Sequence, residues 1–470
     1  MMAAALIALT CIFAVPVGTQ SFEYPREALF CFAALPLISI ASLGTGVNIS
    51  NNLTLAVFVL LVWWVVCSIR SKDAQTAFNC AVRFILAVVV SLIAVCSTSI
   101  ENVLSLLTIA CAVNCIVGIL QRFGVPIPYK EAILNSYGSL NKGRYYARAL
   151  LGNTNYFGVY IVPHVFFSLY LGWYPVTVLL IGGLIAAECA GAIIATVAGV
   201  AFYFSPLASV ICFPLALFMF RKRFTLVRRF KYFQIAWRQI KVSPICGVGF
   251  DVFKVNIPYL QYGNPVKVAT PQRCHNDVLQ CICDVGVVGL AIIGYIIFNA
   301  YVAAGGWLLS ALVGVLVAGI GLHTFHIFPV NLVFWVVIFS CLKTAEPVFI
   351  VNNPYIPFIM FLFIPLVMPY LKSLVGDIYY RQCQHDKSNI YKAIYYMPHD
   401  EEVKMNKVFH DVTVKNDYIA GFEGLCDLKV NRKGLILPSV LYSNMASLQE
   451  LIQSKGRNIF EELSKSYEGC

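Results

Sequence analysis

The chain has 470 residues, with 34 Lys plus Arg against 23 Asp plus Glu, a net charge of +11 and 59% hydrophobic residues. Charged residues are 12%, against about 25% in a soluble domain. This composition excludes a disordered chain and leaves too little charge to cover a water-soluble enzyme, so the expected class is an all-α, polytopic membrane protein.

A membrane-spanning helix needs about 20 apolar residues, with about 17 as a lower limit. In chain order, candidate spans fall at 3–18, 27–43, 53–69, 77–97, 100–120, 154–172, 173–188, 189–205, 206–220, 285–303, 305–322, 327–343 and 354–371. The first can also be read as the apolar core of a signal peptide, but no basic segment precedes it, which favours a retained span. The expectation is therefore about 12–13 transmembrane helices over residues 1–372, with a long loop at about 221–284 and a soluble tail at 373–470. In the tail, Leu448, Leu451, Ile452, Ile459 and Leu463 predict a small helical appendage. Charges well inside the expected spans are few, Arg83 and Glu188 among them, and neither internal repeats nor low-complexity tracts are evident.

The positive charge is concentrated. Residues 373–470 carry 12 basic and 13 acidic side chains, a net of −1, so residues 1–372 hold +12. Of these, 221–273 contributes 11 basic residues against Asp251 alone, and 122–148 contributes five against Glu131. Two cationic loops on an otherwise neutral body point to a bound anion. The positive-inside rule would put such loops in the cytoplasm, and only a functional reason for external arginines overturns that placement.

Seventeen Cys do not form a disulfide framework, because most lie inside apolar runs. Cys281 and Cys283 have no second pair at zinc spacing, and Cys246 with Cys274 is the pair that could bridge an oxidised loop.

Three segments carry candidate chemistry. In Arg229 to Gly249, RFKYFQIAWRQIKVSPICGVG, a cationic amphipathic helix is predicted to end near Val242, followed by a turn at Pro244, Gly247 and Gly249. An interfacial helix with snorkelling Arg and Lys explains the same spacing. In residues 273–290, RCHNDVLQCICDVGVVGL, His275, Leu279, Ile282 and Gly286 fall on one helical face. His275 among cations is expected to be mainly neutral near pH 7, which suits a general base, although a plain capping role fits the position too. In residues 144–164, RYYARALLGNTNYFGVYIVPH, Arg144 and Arg148 precede Gly152, Asn153 and Asn155 at the mouth of a span. Arginine forks and amides there can hold phosphate oxygens or simply anchor the interface.

These stretches, in this order, resemble the O-antigen ligase and polysaccharide polymerase superfamily over roughly residues 100–345. Arg229 ahead of Pro-x-x-Gly-x-Gly, His275-Asn276 ahead of Gly286-x-x-Gly289-Leu290, and the GNTNYFG run carry the likeness, with Thr154 where Pro is usual. The resemblance implies a metal-independent glycosyltransferase that moves a glycan from an undecaprenyl-pyrophosphate carrier to an acceptor sugar hydroxyl, usually of a lipid A core. It implies location in a bacterial inner membrane with the active loops on the extracytoplasmic side. By that likeness His275 is the general base and Arg229 the pyrophosphate clamp. Arg148, Arg144, Asn153, Asn155, Arg273, Asn276 and Gln280 are candidate substrate contacts. No cofactor, metal or nucleic acid is implied; the partners are the lipid-linked glycan, its acceptor and membrane lipids.

The likeness is incomplete. Many relatives carry Ser-Arg-Gly before the large loop, whereas AECAGA at 187–192 has no Arg. His323 and His326 occupy a turn where those relatives carry an acidic or polar residue, as acceptor contacts or as buried structural groups. The alternatives are a polymerase of the same superfamily, which differs in acceptor, a protein-directed oligosaccharyltransferase, and a transporter or flippase for an anionic lipid.

Overall fold

A computed structural model describes residues 1–12, 29–31, 33–34, 37–38, 45–47, 51–71, 73–127, 145–210, 226–250, 252–253, 273–343, 349–351 and 389–396, with single positions at 368, 372, 375–376, 379, 407 and 411. Over these residues the helices are α1 (Met2–Ile12), α2 (Asn51–Ile69), α3 (Ala74–Cys96), α4 (Ile100–Arg122), α5 (Thr154–Tyr170), α6 (Tyr174–Ala187), α7 (Ala190–Phe204), α8 (Leu226–Val242), α9 (Asp277–Ala303), α10 (Gly306–Gly321), α11 (Phe328–Leu342) and α12 (Asn389–Tyr396). Short 3-10 turns occupy Ala149–Leu151 and Thr324–His326. An antiparallel ribbon joins β1 (Thr45–Val47) to β2 (Phe349–Val351), with Gly46 opposite Ile350.

Among the described residues, α2, α3, α4 and α9 are long and apolar enough to cross a membrane, and α1, α6, α7, α10 and α11 are shorter apolar helices. Their outer faces expose Phe58, Val178, Ile185 and Phe298, each more than 60% accessible. A soluble protein would bury such residues, so the chain is a multi-pass, all-helical membrane protein. The expected spans at 27–43, 206–220 and 354–371 lie largely outside the described residues, and the 445–466 helix lies wholly outside them.

Two expectations need correction. The span expected to begin at 285 begins at Asp277, eight residues earlier. Asp277, Gln280 and Asp284 are buried there, and their polar atoms are hydrogen-bonded, so an apolar run was not required. Glu188 is not inside a span. It forms the left-handed turn (φ 51) between α6 and α7 and pairs with Arg122 at the end of α4.

The chain divides into two compact units. Met1–Pro16, Ser21–Phe253 and Arg273–Met368 form the helical bundle; Val17–Gln20, Lys254–Gln272 and Pro369–Cys470 form the other. In the second unit, Tyr391 on α12 donates to Asp411, which also pairs with Lys407 at 2.9 Å.

In the bundle, α11 is buried along its whole length, which makes it the central helix. It packs on α3, while α10 packs on α5 and α7, and α9 on α2. Lipid supplies no hydrophobic drive between helices, so small residues at the contacts carry the packing. At Gly199 an added Cβ would lie 2.5 Å from Phe166 and 2.8 Å from the Ser310 carbonyl. The ends of α4, α6 and α10 meet the starts of α5, α7, α9 and α11, through contacts such as Arg122–Glu188, Asn276–Ile320 and Asp277–Thr324. The motif residues therefore gather at one end of the bundle.

Candidate active site

The cationic amphipathic helix is α8, ending at Val242. Its buried face is Ile235, Ala236, Gln239 and Ile240, and Gln234, Trp237, Arg238 and Lys241 are exposed, so it lies against the bundle rather than spanning it. The turn after it plugs a break in α9. There the backbone leaves helical geometry at Gly286 (φ 72, ψ −176). The freed groups are satisfied by the turn: Val248 donates to the Cys283 carbonyl at 2.7 Å, Gly249 to Asp284 at 3.0 Å, and Val287 to Pro244 at 2.9 Å. A Cβ at Gly286 would sit 1.9 Å from the Ile245 oxygen, and one at Gly247 (φ 67) 2.4 Å from the Asp284 carbonyl carbon. Two motifs far apart in sequence are thus two halves of one joint.

His275 precedes α9 and is not on its face. The helix starts at Asp277 with Asn276 as its N-cap, and His275 adopts φ 58. The expected i, i+4, i+7, i+11 face therefore fails at both ends, at His275 and at the Gly286 break. The Asn276 side chain accepts from Leu279 N–H at 2.9 Å and donates to the Ile320 carbonyl at 2.9 Å. Gln280 accepts from Cys274 N–H at 2.9 Å. These bonds hold the left-handed turn, a conformation that costs a non-glycine residue of order 1 kcal/mol, and they turn the imidazole off the helix toward α8.

There Tyr232 stacks on the His275 ring, with centroids 5.6 Å apart at 23°. His323 meets it edge-on at 4.7 Å and 73°, with the two Nδ1 atoms 3.3 Å apart. Burial, then the positive charges of Arg229 and Arg273, push the His275 imidazole down to about 4. Burial likewise holds His323 well below the ordinary histidine range, and burial lowers the Arg229 guanidinium. At neutral pH the group is two arginines beside two uncharged imidazoles.

Beneath it is a polar scaffold of which only Gln280 was among the expected site residues. Asp277 accepts from Thr324 N–H at 3.0 Å, from the Thr324 hydroxyl, and from Phe325 N–H at 3.3 Å. This fixes the turn that carries His323. Gln280 Nε2 donates to Asp284 at 2.9 Å, and Asp284 faces His326 at 2.7 Å. The signal was present: Asp277, Gln280 and Asp284 recur at i, i+3 and i+7 beside an apolar run.

Of the predicted site residues, His275, Arg229 and Arg273 come together. Asn276 and Gln280 support the loop from below, and Gln280 is fully buried with both amide atoms engaged. Asn153 caps α5 by accepting from Asn155 N–H at 2.8 Å, with both side chains exposed. The next residue, Tyr156, brings this end to the site, its hydroxyl 3.5 Å from His323 Nε2. Arg148 places its guanidinium over the Tyr146 ring at 5.3 Å and is not among the cations acting on His275. Arg144 lies outside the described residues. Cys189, in the AECAGA stretch that lacks an arginine, feels the charge of Arg229. Cys246 and Cys274 are free thiols rather than a bridge; the Cys274 thiol donates to the Asn276 carbonyl at 3.1 Å.

Fold and site together define a multi-pass membrane protein with a cationic, histidine-bearing cluster at one end of its bundle. Residues 154–294, from the start of α5 into α9, match the O-antigen ligase (Wzy_C) family model, so this segment is similar to that family. No curated protein matches the chain.

Proposed function

We propose that the enzyme transfers a glycan from an undecaprenyl-pyrophosphate carrier to an acceptor sugar hydroxyl, of a lipid A core or a comparable glycan. The transfer takes place on the extracytoplasmic face of a bacterial inner membrane. The observation that carries the reading is a neutral His275 flanked by Arg229 and Arg273 within the matched segment.

His275 takes the proton of the acceptor hydroxyl as that oxygen bonds to the anomeric carbon of the donor. The bond from that carbon to the pyrophosphate oxygen breaks, and its electron pair leaves on the phosphate. Arg229 and Arg273 hold the diphosphate and stabilise the charge it gains, a task that preorganised guanidinium groups perform without a metal. Arg148, Asn153 and Asn155, with Arg144 from the adjoining segment, are the proposed further contacts of the carrier diphosphate. Residues 1–372 form the catalytic membrane domain and 373–470 an appended soluble segment. Ligase and polymerase share this donor chemistry and differ in acceptor.

The test is reconstitution with a lipid-linked glycan, EDTA, and either a lipid A core or a second lipid-linked glycan as acceptor, following release of the carrier pyrophosphate. Activity only with the second acceptor would make the enzyme a polymerase. Full activity of His275→Ala would remove the base assignment, and unchanged donor binding by Arg229→Ala would remove the clamp. External labelling of Asn264→Cys in spheroplasts tests the orientation; no labelling places the basic loop inside and defeats the scheme.

A further inference from the structure

Three observations converge on His323. It is 9% exposed. Its Nδ1 lies 3.3 Å from Nδ1 of His275, and its Nε2 lies 3.5 Å from the Tyr156 hydroxyl. The turn that carries it is tied down by Asp277.

We infer that His323 is a positioning residue: it accepts the Nδ1–H of His275 and donates its Nε2–H to Tyr156, so that His275 keeps its Nε2 lone pair for the acceptor hydroxyl. This rests on His275 being the general base.

The geometry allows two proton arrangements. If Tyr156 donates to His323 Nε2, then His323 donates from Nδ1 to His275, and His275 is left with Nε2–H and no free lone pair. Only the reverse arrangement gives a base. When His275 takes the acceptor proton on Nε2, its Nδ1–H bond to His323 becomes charge-assisted and strengthens, so the interaction grows along the reaction.

An imidazole also suits this position better than the carboxylate that orients histidine in catalytic triads. The groups facing His275 are Tyr232 and Arg229 from α8, Arg273 from its own loop, and His323. Those acting on His323 are Arg273, His275, His326 and Arg229, with Tyr156 in contact. A carboxylate among these arginines would pair with them and occupy the donors meant for diphosphate. A neutral orienting group adds no charged competitor for either guanidinium group.

The experiment compares His323→Leu, His323→Asn and Tyr156→Phe with wild type in the reconstituted transfer assay, with kcat and donor KM measured across pH. His323→Leu should lose about 100-fold or more in kcat with donor KM unchanged, as expected when a histidine base loses its orienting partner. His323→Asn keeps an acceptor near the Nδ1 position and should recover at least tenfold of that loss. Tyr156→Phe, which removes only a hydroxyl, should lose roughly tenfold in kcat, equivalent to one hydrogen bond. Wild-type kcat in His323→Leu would overturn the inference. Equal loss in Leu and Asn, with kcat and KM moving together, would also overturn it, because that marks a packing role. If His323→Leu does not fold, an unchanged kcat in Tyr156→Phe overturns it alone. His275→Ala separates the two layers: its retained activity removes the base itself, whereas an inactive His275→Ala beside an unaffected His323→Leu removes only this inference.

Discussion

Gly247→Ala tests the joint between the loop after α8 and the broken α9. At φ 67 an alanine costs of order 1 kcal/mol. Its methyl carbon would lie 2.4 Å from the Asp284 carbonyl carbon and 2.5 Å from the Val285 nitrogen, which are backbone atoms that cannot swing aside. The turn must lift, and the bonds Val248 N–H to Cys283 and Gly249 N–H to Asp284 go with it, at about 1 kcal/mol net each. The loss is about 3 kcal/mol, or on the order of 100-fold in the docked fraction of the turn. Because α8 carries Arg229, donor KM should rise steeply while the bundle stays folded. The assay is pyrophosphate-lipid release against donor concentration in proteoliposomes, beside thermal unfolding in detergent. Gly294→Ala is the matched control, since nothing lies within 4 Å of its added Cβ and the residue is helical. Wild-type kinetics in Gly247→Ala, or equal damage in both variants, would refute the reasoning.

Further predictions concern the charges beneath and around His275. With its imidazole at about 4, kcat/KM should hold from neutrality down to about pH 4 and fall below it, as pH-rate profiles of the free enzyme will show. Arg229→Gln removes a cation that disfavours the imidazolium, so its acid limb should move to higher pH. The same depression makes the unfolded chain bind more protons than the folded one between about pH 4 and 6.5. Stability measured by thermal unfolding should therefore be full above about 6.5 and decline as pH falls toward 4. Asp277→Ala leaves the Thr324 and Phe325 donors unpaired and should cost about 3 kcal/mol. Thermal unfolding will read that cost, and kcat should fall because the turn bearing His323 is released.

Composition and hydropathy determined most of the membrane class and helix positions. The described α2–α7, α10 and α11 lie within about three residues of their expected spans, because burial in lipid demands continuous apolar runs. The cationic helix ending at Val242 was legible as well, since amphipathic spacing is a property of the chain itself. The neutral His275 was expected from nearby cations, but burial, which only the fold supplies, is the larger cause. The start of α9 was not. Asp277, Gln280 and Asp284 look like loop residues until their partners Thr324, Phe325, Cys274 and His326 are brought beside them. The meaning of the glycines also needed the fold: Gly247 and Gly286 mark a plugged helix break that no single segment contains. Tertiary structure alone placed His323 against His275 and Tyr156 against His323, since they come from α5, the turn before α11 and the loop before α9. The sequence supplies a charged and polar inventory; packing at one end of the bundle decides which of those groups meet.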